Sequence, residues 1–415
     1  MDNNMIRRVE YSAPDVPLIP EYIELDRNNN SWINWGIDNL YPDFLLKLYN
    51  SAPLHSAICD LKANMIGGSG FINANWDQET IDFINNSSSR YDLETIMEKV
   101  AKDFVIFNGW SLIITYSKDG EKIARIDYIS PANIRVDKEK YYVANSWKDV
   151  RMGKEQPIIY PKYIYGVKQT CIFYYMDHRG MNNYYPIPEY TPALTLIQTQ
   201  VQINDYHLHT INNQFNPSFH INFVATPSPE EADENDERIR EYLQGAKKAG
   251  NAWITYCEDP DKKATIEPIQ TNDSDKKYAE LSKNVMEGII AAHNVNDRKL
   301  FGYEIAGELG GKNDRLESLS QFQATYVSKQ QKILEKQLNE FGRINGLNDK
   351  LKLEKYTLNL SPNIPPSEMI AILTAPISQN AKISMLVGYG YDRDVASLLV
   401  DKKTEGDEPT TENID

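Results

Sequence analysis

Cysteine is scarce. The 415 residues hold three, Cys59, Cys171 and Cys257, and an odd, widely spaced set offers no disulfide framework and suits a reducing cytoplasm. Lys and Arg are short as well, 44 against 59 Asp and Glu, for a formal charge of −15. That balance counts against a chain whose main task is to grip phosphates, because such affinity comes from clustered cations. No window reaches the ~18–20 uncharged apolar residues that a membrane helix requires; the nearest, Phe104 to Ser117, is interrupted by Asn108-Gly109. The opening MDNNMIRRVE has basic residues with no apolar run behind them, so no secretory signal is expected there.

Sequence signatures of catalysis are missing too. Gly310-Gly311-Lys312-Asn313 lacks the earlier glycine of a phosphate loop, Ala306 standing in its place, and Asn313 replaces the Ser or Thr that would hold magnesium. Gly67-Gly68-Ser69-Gly70 follows a helical pattern, not a strand, and reads as a helix stop. There is no Gly-x-Ser-x-Gly elbow. The six histidines (His55, His178, His207, His209, His220, His293) show no ligand spacing with cysteine and are expected at surfaces or interfaces; His207 and His209, two apart on a helix, point in different directions. No metal, no cofactor and no enzyme activity is expected.

What is present is enough apolar residue, 41%, for two to four folding units, and an unusual number of aromatics: 26 Tyr, 12 Phe and 6 Trp. Tyrosine enrichment fits extensive interfaces and equally a sugar-binding surface. Residues 1–35 are polar and read as an arm. Apolar residues recur at helical steps from Pro42 to Met65 and stop at Gly67-Gly68-Ser69-Gly70. A second helix is predicted over Leu93–Phe107. Strands Ser111–Tyr116 and Lys122–Tyr128 flank Lys118-Asp119-Gly120, a hairpin signal because both turn positions tolerate positive φ. Further strand-like pieces are Tyr141–Ser146, Ile158–Tyr165 and Thr170–Met176.

From Ala193 the pattern changes. Leu194, Ile197, Val201, Asn204, Leu208, Ile211 and Phe215 fall at alternating three- and four-residue steps, a heptad-type seam with one polar break at Asn204. An α+β insert follows: strand Phe219–Ala225, an acidic helix start (Glu230, Glu231, Asp233, Glu234, Asp236, Glu237) read as a solvated face, strand Ala252–Cys257 and strand Thr265–Ile269. A helix from Ser274, with Tyr278, Leu281, Val285, Ile289 and Ala292 on one side, leads to a glycine-bearing loop over 296–315 and then the longest helix, Leu316 to about Phe341. A strand-like run Leu351–Leu360, prolines, a short helical region through Leu386 and an acidic, disordered tail from Asp401 complete the reading.

This order resembles the portal proteins of tailed bacteriophages. The resemblance is carried by Trp35-Gly36-Ile37-Asp38-Asn39-Leu40-Tyr41-Pro42, Leu54-His55-Ser56-Ala57-Ile58, Met65-Ile66-Gly67-Gly68, Phe107-Asn108-Gly109-Trp110, the Asp119-Gly120 hairpin and Tyr128-Ile129-Ser130-Pro131-Ala132-Asn133-Ile134-Arg135-Val136, over roughly residues 35–345. Asn108 and Gly109 stand in reversed order relative to the family's pattern. The resemblance implies an α+β subunit with an N-terminal arm (1–35), a wing (36–190), a stem helix (191–215), a small α+β clip (216–272), a returning stem helix (273–295), a tunnel loop (296–315), a long spine helix (316–345), a return to the wing with a candidate small crown (346–400) and a tail (401–415).

It also implies a function: a homo-oligomeric ring, usually of twelve subunits, at one capsid vertex of the virion. The ring is assembled in the host cytoplasm, is a conduit for packaging and ejecting double-stranded DNA without sequence specificity, and docks the large terminase subunit, a head-completion or adaptor protein, and capsid or scaffold protein, with no membrane partner. Twelve helices about 10 Å apart around a circle leave a bore of about 27 Å, wide enough for a duplex. On this reading Arg298, Lys299, Gly302, Gly307, Gly310, Gly311, Lys312, Asn313 and Arg315 are the channel-loop candidates, Asn204 sets stem register, and Trp253 and Tyr256 belong to a clip interface. The alternatives are an acidic, Tyr-rich carbohydrate-active protein, or another phage head or neck component.

Overall fold

The computed structural model describes residues 19–26, 31–72, 76–180, 183–212, 219–224, 228, 230–231, 234, 252–257, 274–295, 297–301, 312–348, 351–356, 366–389, 391 and 393–401. It opens with a two-stranded antiparallel pair, β1 (Glu24–Asp26) and β2 (Ile33–Trp35). Residues 19–26 and 31–35 were expected to belong to a loose arm. Instead Trp35 is fully buried and stacks on Tyr185 at 4.6 Å, and Glu24 accepts from the backbone amides of Tyr184 and Tyr185 at 2.8 and 2.9 Å. The polar composition concealed an anchor made by one large ring and one carboxylate. Residues 1–18 lie outside the described residues.

The helical pattern from Pro42 divides into α1 (Tyr41–Ser51) and α2 (Pro53–Gly67). Pro53 disfavours the helical region for the residue before it, and Ala52 is extended (φ −103°, ψ 106°). The end of α2 is where expected. Gly68 has φ +73°, and a Cβ there would stand 2.0 Å from the Glu354 carbonyl oxygen, so both conformation and space require glycine. Ile72 N and Glu354 N bond across this junction to the carbonyls of Lys352 and Gly70. The strand expected over Leu351–Leu360 therefore reduces to a short extended pairing around the Phe71–Leu353 bridge; residues 357–360 lie outside the described residues.

Helix α3 (Gln78–Asn85), which the periodicity missed, and α4 (Leu93–Phe107) are each capped by an aspartate, Asp77 and Asp92, accepting from the amide of the third residue beyond. Asn108 ends α4 in the left-handed region (φ 63°), and Gly109 then starts β3 (Gly109–Tyr116) where a Cβ would meet the Tyr175 carbonyl at 2.8 Å. Here Asn supplies the turn and Gly the close approach. The hairpin to β4 (Ile123–Ile129) forms as expected, with one difference: only Gly120 has positive φ, while Asp119 caps the turn by accepting from Glu121 N at 2.9 Å. Strands β5 (Ile134–Val136), β6 (Lys140–Val143) and β7 (Ile158–Pro161) make one antiparallel sheet, with a short α5 (Trp147–Arg151) between β6 and β7. β8 (Cys171–Met176) joins β3 and β4 in the order β4-β3-β8.

The segments that carry the family resemblance meet in space. Arg135, fully buried, donates to Asn39 Oδ1 (2.5 Å) and Asn39 O (2.7 Å), and its guanidinium lies over the Trp147 and Trp35 rings at 4.6 and 5.9 Å. Asn39 adopts φ 65° to present both oxygens. Burial lowers the Arg135 pKa to about 10, still charged at neutral pH. Packing and hydrogen bonds hold these residues in the interior.

Beyond this α+β region, the segment that the family resemblance reads as a wing, come α6 (Leu194–Asn212), β9 (Phe219–Val224), β10 (Ala252–Cys257) and α7 (Ser274–Ala292). The long helix follows as α8 (Lys312–Phe322) and α9 (Ser328–Ile344), joined by a π-helical turn, Gln323–Val327. It starts at Lys312, earlier than the expected Leu316. Helices α10 (Pro366–Thr374), α11 (Gln379–Gly388) and α12 (Arg393–Asp401) close the described chain around their own small core of Leu386, Ala396 and Val400. Among the described residues no helix is long and apolar enough to cross a membrane, and Cys59 and Cys171 are free thiols.

Candidate functional site

Helices α6 and α7 form a hairpin standing on the wing. Leu196, near the start of α6, meets Gly288, near the end of α7, its Cδ1 lying over the space that a Cβ on Gly288 would take. The apolar seam changes character along its length. At the root, Leu194 and Ile197 of α6 and Val285, Ile289 and Ile290 of α7 are buried in the main core. Further out Val201 is half-buried, Asn204 is exposed, and Leu208 and Leu281 are 56% and 42% exposed. The heptad spacing thus describes a stripe that the subunit itself covers only at one end. Ile211's side chain and Phe215 lie outside the described residues. On the wing, edge strand β7 likewise exposes Ile158 and Ile159.

At the far end of the hairpin β9 and β10 pair in parallel, Phe219 opposite Ala252 through Val224 opposite Cys257. A parallel pair demands a crossover, and 225–251 supplies one. Within it Ser228 and Glu231 cap a helix start reciprocally, Glu231 N to Ser228 Oγ at 3.3 Å and Ser228 N to Glu231 Oε2 at 3.0 Å. Glu230, Glu231 and Glu234 are exposed, as a solvated face requires; Asp233, Asp236 and Glu237 lie outside the described residues. Trp253 and Tyr256 stand opposite His220 and Phe223 in the register. The third expected strand, Thr265–Ile269, lies outside the described residues.

The loop candidates separate into three groups. Arg298 opens a 3₁₀ turn, Arg298–Phe301, and pairs with Glu287 of α7 at 2.8 Å instead of with an acid of the loop. Lys299 belongs to the same turn. Gly302, Gly307, Gly310 and Gly311 lie outside the described residues. Lys312, Asn313 and Arg315 occupy the first turn of α8, not the loop. An acidic side chain of the preceding turn, Asp297, accepts from Ser318 of α8, tying the loop's two ends together.

Beneath the hairpin lies a buried polar network that the sequence did not announce. Lys62 of α2 donates to Glu189 Oε2 (2.8 Å) and to the His293 carbonyl (3.2 Å), and its ammonium sits 4.0 Å over the Tyr326 ring. Tyr326, within the π turn, donates to the same Glu189 oxygen at 2.8 Å. Burial raises the Glu189 carboxyl, but the Lys62 charge and the hydrogen bonds from Lys62 and Tyr326 more than reverse it, leaving the group below its ordinary value. Gln323, at the start of that turn, donates to the Tyr356 carbonyl. The extra residue of the π turn thereby aims two side chains that an α-helical phase would carry elsewhere.

Two histidines correct the sequence expectation. His55 and His293 are fully buried and face each other, Nδ1 to Nε2, at 2.9 Å, with Cys59 Sγ 3.7 Å from His55 Nδ1. His55 and Cys59 are four residues apart on α2, a spacing that places them on one helix face; that was the readable signal. His178 and His207 are exposed as expected.

The fold is similar to a chain in the virion of a native gene transfer agent particle, with TM-score 0.53 and 13% identity over 83% of this chain and 92% of that one. A chain of the native particle's neck, computed with C12 symmetry, matches with TM-score 0.51 and 14% identity over 83% of this chain and 93% of that one. The chain shares its fold with these virion and neck chains. An HK97-family phage portal protein from Corynebacterium diphtheriae aligns at TM-score 0.44 and 11% identity over 80% of this chain and 98% of that one, too loose a likeness to carry weight. No family model and no curated protein matches the sequence. At these identities the likeness concerns the fold alone, a mixed helix-and-sheet subunit.

Proposed function

We propose that the chain is the repeating subunit of a ring in the neck of a phage-like particle, a portal through which double-stranded DNA is packaged and ejected. The carrying observation is the hairpin seam, buried at its root and bare at Leu208 and Leu281 on a fold shared with virion and neck chains. Exposed leucines at heptad spacing stabilise nothing in one subunit, and a neighbouring copy of the same hairpin covers them. The exposed Ile158 and Ile159 of edge strand β7 offer a second contact at wing level. A chain with the same fold occurs in a particle neck computed with C12 symmetry, which favours twelve copies.

In this ring Asn204, exposed between Val201 and Leu208, sets the register of adjacent stems. Trp253 and Tyr256 belong to the clip contact, whose outer end meets the large terminase subunit and the adaptor. The loop over 302–311 reaches toward DNA, with Lys299, Lys312, Asn313 and Arg315 at its ends, while Arg298 anchors its base to α7. A charge of −15 per subunit, repeated around the ring, gives weak repulsion of phosphates and lets a duplex slide. The work is structural, done in the virion after assembly in the host cytoplasm.

Sedimentation and negative-stain imaging of the purified chain test the ring: an annular particle of about a dozen copies is expected, and a compact monomer overturns the proposal. Deleting residues 303–311 is expected to leave the annulus intact while impairing DNA retention in a packaging assay. Unchanged packaging would refute the loop's role.

A further inference from the structure

Three side chains of metal-ligating type converge where α2 passes under the end of α7. His55 and Cys59 come from one face of α2, and His293 is the residue that follows α7, 238 positions from His55. One donor atom from each lies within 4.8 Å of the others, and all three residues are buried. Nothing in the portal reading uses them.

We infer that His55, Cys59 and His293 form a zinc site that pins the foot of the returning stem helix to the wing. Two imidazoles and a thiolate are the borderline-soft N/S set that zinc takes, and the cluster has no oxygen ligand of the kind calcium or magnesium needs. The geometry is close to what tetrahedral zinc asks. Bonds of about 2.05 Å to nitrogen and 2.3 Å to sulfur put two nitrogens about 3.3 Å apart and sulfur about 3.5 Å from nitrogen. The observed separations are 2.9 Å between His55 Nδ1 and His293 Nε2, and 3.7 Å between Cys59 Sγ and His55 Nδ1. The third edge, Cys59 Sγ to His293, closes within 4.8 Å, so the two rings must part and the Cys59 and His293 side chains draw together for all three donors to face one ion.

The surroundings suit a fixed, water-poor site. The Tyr190 ring packs edge-on against His55 at 4.4 Å and parallel to His293 at 5.1 Å, and its hydroxyl donates to the Ile106 carbonyl at 2.7 Å, so tyrosine shields the ion without ligating it. Among the described residues the cluster supplies three ligands, the number that leaves one tetrahedral position open. Lys62, bonded to the His293 carbonyl, has its charge answered by Glu189, and the Cys59 thiolate offsets part of the ion's own charge. Without an ion, one facing nitrogen must donate to the other and His293 Nδ1 has no partner among the described residues, a poor arrangement for a buried set. Zinc uptake expels the thiol proton, which leaves for solvent.

The test uses the full-length chain, dialysed against zinc chloride under reducing conditions and desalted, with metal counted by mass spectrometry. About one zinc per chain is expected, and a cobalt-loaded sample is expected to show thiolate-to-metal charge transfer. Cys59→Ser is expected to lower retained zinc at least tenfold and abolish the band, while Cys171→Ser, at a buried cysteine of β8, keeps both. Circular dichroism and sedimentation matching wild type show that Cys59→Ser is folded, and His55→Gln gives an independent second variant. Background zinc in the wild type, or undiminished zinc in a folded Cys59→Ser, overturns the site. Either result leaves the ring proposal untouched, since annulus formation is read by imaging.

Discussion

The wing and the hairpin spend their apolar residues differently. In the wing, Trp35, Trp110, Phe107, Tyr185 and their neighbours are closed off from solvent by the same chain. Antiparallel strands put adjacent residues together, and α4 lies against β3 directly after Asn108. In the hairpin, one stripe with the same kind of residues runs from full burial at Ile197 and Ile289 to exposure at Leu208 and Leu281. The contrast teaches where one subunit's own stability stops. The wing folds against itself, whereas the outer hairpin contributes its apolar area only when a second copy is present.

Three variants probe that boundary, ordered by their expected effect on the isolated subunit. Trp35→Ala removes the ring that ties residues 31–35 to Tyr185 and is expected to cost about 3–5 kcal/mol in urea unfolding. A loss under about 1 kcal/mol would mean that the wing does not depend on this anchor.

Asp103 comes next. Burial holds its carboxyl up at about 7, partly countered by hydrogen bonds from Tyr128 and Ser130. Between the ordinary aspartate value of 3.8 and about 7 the unfolded chain ionises while the folded one keeps its proton, so stability falls as pH rises through that window. Asp103→Asn is expected to flatten this slope and raise stability at pH 8 by roughly 2–4 kcal/mol relative to wild type. Thermal melts across pH 4–8 read the effect, and parallel curves for the two proteins would count against it.

The smallest subunit effect is the most informative. Leu208→Asp with Leu281→Asp is expected to change monomer unfolding by under about 0.5 kcal/mol, because both residues are already exposed. The same pair is expected to shift sedimentation from annulus to subunit. A ring that survives both charges places the intersubunit contact elsewhere.

Much of the wing was readable because its signals are local. Helix α4 carries a clean apolar face of Ile96, Val100 and Phe104 along its fifteen residues, and the hairpin announces itself through Asp119-Gly120. The stop at Gly68 was legible, though its deeper cause, the Glu354 carbonyl pressed against it, comes from 286 positions away. Long-range pairings were not legible. β1 and β2 are three residues each, and β2 is held by Tyr185, which donates to the Ile33 carbonyl and stacks on Trp35; no composition rule reveals that. The buried histidines failed for the same reason: His55 and Cys59 share a helix face, but the third member arrives with the end of α7. The heptad seam was visible as a pattern, and only the structure divides it into a covered and an uncovered half. Of the loop candidates, the sequence located the cations but not that Arg298 would be taken by Glu287 or that Lys312 would begin a helix.

The π-helical turn at Gln323–Val327 also acts as a phase marker along the long helix. Each residue advances the helix by about 100° and 1.5 Å, so the one surplus residue decides how α8 is rotated relative to α9. Shortening the turn by a single position would restore a regular helix, swing Tyr326 off Glu189 and rotate Lys312–Phe322 about the helix axis relative to α9. The bearing of whatever the loop presents is therefore encoded in one irregular turn at the opposite end of the helix that follows it, and an indel there would re-aim the loop without touching it.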